Sequence, residues 1–129
     1  MRGLPPFGEL LKLRTERDAN GAPLFVMPFH EDVVGRPGYL HGGAIAGLLE
    51  FAAYAALSEA LDEGDVVLKP VTVTVDYMLG GEARDTFASG SVQRLGSRTA
   101  NVEAYAWQSD RSRPIAAARM NFLLRPRAQ

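Results

Sequence analysis

The pattern of hydrophobic and polar positions divides the chain into one long helix and a series of strands. Residues 42–61 are mostly apolar and small, and their spacing predicts a helix that ends at the acidic turn 62–65. Residues 71–77, Val-Thr-Val-Thr-Val-Asp-Tyr, alternate with period two, which is typical of a strand. The strands predicted after the helix are 66–79, 86–95, 98–108 and 114–125.

Shorter elements are predicted before the long helix. Asn20-Gly21 is a strong signal for a hairpin turn. The elements predicted here are a helical turn at 5–12, strands at 13–18 and 23–29, and an irregular loop at 30–40. One long helix beside five or six antiparallel strands predicts a single α+β domain over residues 1–129.

One acidic residue interrupts the long helix. From Ala44 to Leu57 only Glu50 and the hydroxyl of Tyr54 are polar, so we expect protein to surround this helix. Burial of an unpaired carboxylate costs several kcal/mol or raises its pKa, which makes Glu50 a candidate for catalysis. The alternative is that Glu50 lies on a rim or pairs with an arginine.

Two glycines mark the start of this helix, in the sequence Leu40-His41-Gly42-Gly43. Glycine costs about 1 kcal/mol in a helix interior, but it leaves the first-turn N–H groups accessible at the positive end of the helix dipole. Those groups can stabilise a polarised carbonyl or an oxyanion. The alternative is a tight loop-to-helix turn in which His41 is a polar cap.

The distance between the glycine motif and Glu50 bears on the number of subunits that form a site. His41 and Glu50 are nine residues apart, or about 13 Å along one helix. One substrate carbonyl cannot contact both residues within a single chain. If both serve one site, a second subunit supplies one of them, and a symmetric dimer forms the site twice.

Composition narrows the possible chemistry. The chain has no cysteine and only two histidines, so disulfides and thiolate chemistry are excluded and a metal site is not expected. A net charge of −1 gives no positive field that would attract nucleic acid. With no signal peptide and no apolar run long enough for a bilayer, we expect a cytoplasmic protein without a membrane partner.

The segment Gly38-Tyr39-Leu40-His41-Gly42-Gly43, followed by Glu50, resembles a known family. It is similar to the PaaI-like (phenylacetic acid degradation) branch of the hotdog thioesterases, which includes the 4-hydroxybenzoyl-CoA thioesterase-like subgroup. The similarity covers residues 25–124, with the strand Val75-Asp76-Tyr77 and the turn Arg94–Arg98. It implies a hotdog fold, in which a sheet wraps the central helix, and dimers that pair sheet edges and can form tetramers.

The resemblance also implies roles for individual residues. Gly42, within the motif of His41 and Gly43, would donate its N–H to a thioester carbonyl. Glu50 of the partner chain would act as nucleophile or as the base for water. The implied substrate is an aromatic or medium-chain acyl-CoA, with Tyr54 at the substrate; coenzyme A is part of this substrate, and no separate cofactor is expected.

The sequence departs from the family pattern at two places. Many relatives have Asn or Gln six residues before the histidine, where this chain has Gly35. The residues that could replace its function are Arg36, Asp32 and His30. The assisting hydroxyl that often follows the acid is represented here by Tyr54 or by the segment 70–72.

The predicted turn between the second and third strands after the helix carries Arg94, Ser97 and Arg98. Arginines at such a turn either face solvent or contact the phosphates of coenzyme A, for which a guanidinium group is well suited. Two other functions stay open at this point. One is a hotdog dehydratase or hydratase, although His41 lies too early on the helix for that chemistry; the other is a non-catalytic acyl-CoA-binding module.

Overall fold

The elements predicted from the sequence are present in the described part of the chain, residues 4–61 and 66–126 of a computed structural model. Their bounds agree with the predicted ones to within two residues, whereas the acidic turn at 62–65 lies outside the described residues. The α-helices are α1 (Pro6–Leu10) and α2 (Gly42–Ala60), and a short 3₁₀ helix, Glu31–Val33, lies within the predicted loop. The strands are β1 (Arg14–Arg17), β2 (Pro23–Met27), β3 (Val66–Tyr77), β4 (Thr86–Leu95), β5 (Thr99–Trp107) and β6 (Ala116–Pro126).

The six strands form one antiparallel sheet, and α2 packs on one of its faces. The strand order is β1-β2-β4-β5-β6-β3, so β1 and β3 are the edge strands. Alternate residues of the central strands face the helix and are buried, as are Val102, Ala104 and Ala106 on β5. The structure therefore confirms an α+β fold with a long helix against a six-stranded antiparallel sheet.

Small side chains bring α2 close to the sheet. Gly90 of β4 lies against the helix, where a Cβ atom would be 2.6 Å from the carbonyl oxygen of Ala52 and 3.0 Å from the Cα of Ala53. Any side chain at this place would push the helix away, because protein interiors leave no room for such overlap. The alanine-rich and glycine-rich sequence of α2 thus has a packing reason.

The edge strand β3 is long and poorly covered. It pairs with β6, and within the described ranges no strand pairs with its other edge. Most of its side chains are exposed, and Val71 and Tyr77 are each 54% exposed. The register shifts at a bulge between Pro70 and Thr72. Proteins usually cover or interrupt an apolar edge of this length, because its free N–H and C=O groups are a template for pairing with another chain.

Candidate functional site

The loop before α2 fixes the start of the helix. Within the loop, Val34 pairs with Leu40 in an antiparallel bridge, and the N–H of Gly35 donates to the carbonyl of Tyr39 at 3.0 Å. The N–H of His41 donates to the carbonyl of Val33 at 2.7 Å. These hydrogen bonds hold the backbone on both sides of the loop, so the first residue of α2 has a defined position.

His41 and the two glycines divide the hydrogen bonds of the first helical turn. The N–H of Gly43 donates to Nδ1 of His41 at 2.8 Å, so His41 is the N-cap of α2. Among the described residues, no acceptor receives a hydrogen bond from the N–H of Gly42. The polar cap, His41, and a free first-turn N–H group therefore occur together. The free group is the N–H of Gly42, because the N–H of Gly43 is bound to His41.

Tyr77, at the end of β3, holds the peptide that carries this free donor, and its side chain was not predicted to do so. Its hydroxyl donates to the carbonyl of Gly42 at 2.8 Å. Its ring lies 3.5 Å from the place where a Cβ of residue 42 would be. The contact joins residues 35 positions apart and fixes the first peptide of α2. The only sequence signal was the Val75-Asp76-Tyr77 strand, noted as a family feature.

Gly35 has a steric explanation. A Cβ atom at this position would lie 3.0 Å from the Cα of His41 and 3.2 Å from its backbone nitrogen, so the turn leaves little space for the amide side chain found in many relatives. The three residues that could replace this amide are His30, Asp32 and Arg36. None of them lines the cavity that Glu50 borders. Nε2 of His30 is 3.1 Å from the carbonyl oxygen of Leu11, and the carboxylate of Asp32 is 4.0 Å from Nδ1 of His30. The guanidinium of Arg36 lies 4.6 Å from the ring centroid of Tyr39.

Glu50 lies on a side of α2 that the sheet does not cover completely, and its side chain is exposed in the single chain. The expectation of a helix surrounded by protein is therefore wrong at Glu50, whereas Leu48, Leu49 and Ala53 of the same helix are buried in the core. Among the described residues, Glu50 has no hydrogen-bond or ion-pair partner, so the alternative of a pairing with arginine finds no support there.

The carboxylate of Glu50 borders an apolar cavity of about 460 Å³. This volume falls within the range of typical small-molecule sites. Tyr54, one helical turn beyond Glu50, also lines the cavity, and its ring centroid is 6.4 Å from that of Phe122. The remaining lining residues are Leu4, Pro5, Phe7, Phe25, Gly47, Phe51, Ala55, Pro70 and Met120.

The free donor and the carboxylate lie beside different parts of β3. Gly42 contacts Tyr77 at one end of this strand, whereas the Glu50 cavity includes Pro70, seven residues earlier. Seven residues of strand span roughly 20 Å. Neither His41, Gly42 nor Gly43 lines the Glu50 cavity. Within one chain the structure thus brings Glu50 and Tyr54 together and keeps the glycine motif apart from them.

The turn between β4 and β5 lies at the Pro70 end of the sheet. In the strand register Ala100 pairs with Phe122, and Phe122 pairs with Pro70, so residues 96–98 lie just beyond this wall of the cavity. Arg94, Ser97 and Arg98 are exposed there. Within the described ranges, neither arginine forms an ion pair, which leaves both guanidinium groups accessible to an anionic ligand.

The described residues contain neither a candidate metal site nor a candidate membrane-spanning helix. No group of three or more His, Asp or Glu side chains in residues 4–61 and 66–126 stands close enough to hold a metal ion. No helix in those ranges combines the length and hydropathy required to cross a bilayer. In the β1–β2 hairpin, the backbone N–H of Ala22 and that of Asn20 lower the pKa of Asp18.

Solved structures share this architecture. A Bacillus halodurans protein, crystallised with CoA, superposes with a TM-score of 0.87 at 19% identity, over 100% of this chain and 83% of its own. A Chromobacterium violaceum protein is 32% identical, with a TM-score of 0.72, over 92% of this chain and 82% of its own. A phenylacetic acid degradation-related protein from Ralstonia eutropha is 14% identical, with a TM-score of 0.80, over 94% and 91%.

The sequence comparison agrees with the fold. No curated protein matches the sequence significantly. The model of the thioesterase superfamily matches residues 37–115, which include the glycine motif, Glu50, Tyr77 and the β4–β5 turn. This match covers more than half of the chain, and the architecture is the hotdog fold that the resemblance implied. The chain belongs to the thioesterase superfamily.

Proposed function

We propose that this protein hydrolyses the thioester bond of an aromatic or medium-chain acyl-CoA, in a site formed between two subunits. The observation that carries the proposal is the carboxylate of Glu50, without a partner among the described residues, at the wall of an apolar cavity. An acyl group fits such a wall, with its carbonyl beside the carboxylate. Membership of the thioesterase superfamily and the CoA-containing relative from Bacillus halodurans support the same chemistry.

The chemistry needs two groups from this chain. The N–H of Gly42 donates to the thioester carbonyl oxygen, and the positive end of the α2 dipole stabilises the negative charge that develops there. Glu50 either removes a proton from water as the water oxygen bonds to the carbonyl carbon, or bonds to that carbon itself. In both routes the C–S bond breaks and coenzyme A leaves; in the first route its sulfur takes the proton that Glu50 removed from water, and in the second route it leaves as the thiolate and takes a proton from solvent. In the second route water then hydrolyses a Glu50 anhydride.

The two groups reach one substrate if two chains pair along β3. An antiparallel pairing of two β3 edges places the Tyr77 end of one strand beside the Pro70 end of the other. Gly42 of one chain then approaches Glu50 of its partner, twice by symmetry. The pairing also covers the exposed side chains of Val71 and Val73. The resemblance adds the expectation that such dimers form tetramers.

The engagement of His41 favours hydrolysis over hydration chemistry. Its Nδ1 atom accepts the hydrogen bond of Gly43 at the helix cap, so one of the two ring nitrogens holds the turn and fixes the orientation of the ring. A hotdog dehydratase or hydratase needs a histidine that is free to exchange a proton with the substrate.

The direct test is thiol release from a panel of acyl-CoAs, aromatic and linear, with the wild-type chain. We expect the protein to hydrolyse some of the acyl-CoAs in the panel. Those that it hydrolyses slowly should still bind tightly. Tight binding of acyl-CoAs without thiol release from any of them would identify a binding module instead and would overturn the proposal.

Subunit sharing predicts complementation between two inactive variants. We expect chains carrying Glu50→Gln and chains carrying Gly42→Pro to form mixed dimers with one intact and one doubly defective site, so each mixed dimer should have about half of the wild-type activity. Two different affinity tags on co-expressed chains allow the mixed dimers to be isolated and assayed. Mixed dimers that are as inactive as either parent would show that each site lies within one chain.

Recognition of coenzyme A predicts a selective effect at the β4–β5 turn. Reversing the charge at Arg94 or Arg98 should raise KM for acyl-CoA several-fold, because a guanidinium–phosphate contact is replaced by repulsion. A short thioester without the nucleotide should keep its KM. Arg113→Glu, in the exposed turn at the opposite end of β5, is the matched control. Equal effects on both substrates would mean that the two arginines do not bind the nucleotide.

A further inference from the structure

The ring of Phe7, on α1, packs directly against the backbone of α2 at Gly47. A Cβ atom at Gly47 of α2 would lie 2.5 Å from Cε2 and 2.9 Å from Cζ of Phe7, so the ring rests where a side chain of residue 47 would be. The ring also stacks on Phe51, with centroids 6.3 Å apart and planes 25° apart. Gly47 precedes Glu50 by three residues and Phe51 by four, so all three residues share one side of α2.

The Phe7 ring is a wall of the cavity and not part of the core. It is 47% exposed, whereas Phe25 and Phe122 are almost completely buried. It lines the same cavity as Glu50, on the side toward the start of α2. Gly47 is about 4.5 Å along the helix axis from Glu50. An acyl group whose carbonyl lies at Glu50 and whose tail enters the cavity therefore meets Phe7 within a few methylene groups.

Other residues hold α1 in place. Leu11 and Leu13, just after this helix, are buried in the core, and the N–H of Leu13 donates to the carbonyl of Gly8. Gly8 itself is buried, where a Cβ would lie 2.9 Å from the side chain of Leu4. The position of the segment thus does not depend on the Phe7 ring. Removal of the ring should enlarge the cavity without displacing α1.

We propose that Phe7 sets the maximum length of the acyl group accepted beside Glu50, and that Gly47 leaves space for its ring because it has no side chain. This inference rests on the proposed thioesterase function and adds a residue to it. Residue 7 lies outside the stretch 37–115 that matches the superfamily, so the limit is a property of the amino-terminal helix of this chain. The ligand class is an acyl chain that ends at an aromatic wall formed by Phe7 and Phe51.

The test compares wild type with Phe7→Ala on a series of linear acyl-CoAs of increasing length. In the wild type, kcat/KM should fall on the order of 10-fold for each methylene group beyond the limit, because the tail then meets the ring. In Phe7→Ala the fall should begin at a longer chain, by at least about two methylene groups. Leu10→Ala, an exposed residue of α1 that does not line the cavity, is the matched control and should keep the wild-type length profile.

A binding measurement separates this inference from the proposed function. Alkyl-CoA thioethers cannot be hydrolysed, and their dissociation constants should show the same shift in length preference. If no acyl-CoA is hydrolysed but the shift in thioether binding is seen, the inference holds and the proposed function fails. If hydrolysis depends on Glu50 while Phe7→Ala has the wild-type profile in both assays, the inference is overturned. Failure of every thioether to bind would contradict both.

Discussion

Replacing Glu50 by glutamine should lower kcat by at least about 100-fold, the usual contribution of a positioned acid or base, and should leave Tm unchanged or slightly raised. Among the described residues the carboxylate has no partner to lose, and it borders an apolar cavity in which a neutral group is at least as stable as a charged one. Substrate should still bind, because Gly42 and the arginines are unchanged. Steady-state kinetics and thermal melting on the same preparations measure both effects.

Glu59→Gln provides the matched control for this variant. Glu59 is also an exposed glutamate of α2, but it pairs with Arg17 and does not line the Glu50 cavity. The pairing lowers the pKa of Glu59, chiefly through the hydrogen bond from Arg17. We expect this variant to keep the wild-type kcat. A Glu50→Gln protein that melts early yet has wild-type turnover per folded molecule would remove Glu50 from the mechanism.

Replacing Gly42 by proline should lower kcat by about 10²–10³-fold, as removal of one oxyanion donor does elsewhere, with Tm maintained or raised. The change removes the backbone N–H and adds a pyrrolidine ring. Proline is favoured at the first position of a helix. The preceding residue, His41, has φ −69° and ψ 133°, a conformation that is allowed before proline. The hydrogen bond from Tyr77 remains possible, because its acceptor is the carbonyl of residue 42.

Gly42→Ala distinguishes the loss of the N–H from the presence of a side chain. Its Cβ would lie 3.5 Å from the Tyr77 ring, which is ordinary van der Waals contact, and its N–H is retained. The alanine variant should therefore lose far less activity than the proline variant at similar Tm. Turnover that is equally low in both would attribute the defect to crowding of the site, and turnover that is equally high would exclude the Gly42 N–H from catalysis.

The sequence determined the elements of the fold and the two features on which the proposed chemistry depends. The helix and strands were predicted to within two residues because periods of 3.6 and 2 reflect the local geometry of each element. Glu50 was conspicuous because it is a charge in an otherwise apolar helix, and Gly42 because glycines are costly inside a helix. His41 was considered as a helix cap for the same local reason, and the structure confirms that role.

Only the tertiary structure decided what surrounds these residues. A helix that is apolar on all sides predicted burial of Glu50, yet Glu50 is exposed and borders a cavity formed by α2, α1 and residues of the sheet. The contacts of Tyr77 with Gly42 and of Phe7 with Gly47 join residues 35 and 40 positions apart. The free edge of β3 follows from the strand order. Local periodicity specifies which face of each element is apolar, but the partner of that face depends on how distant segments pack, and no local pattern encodes this packing.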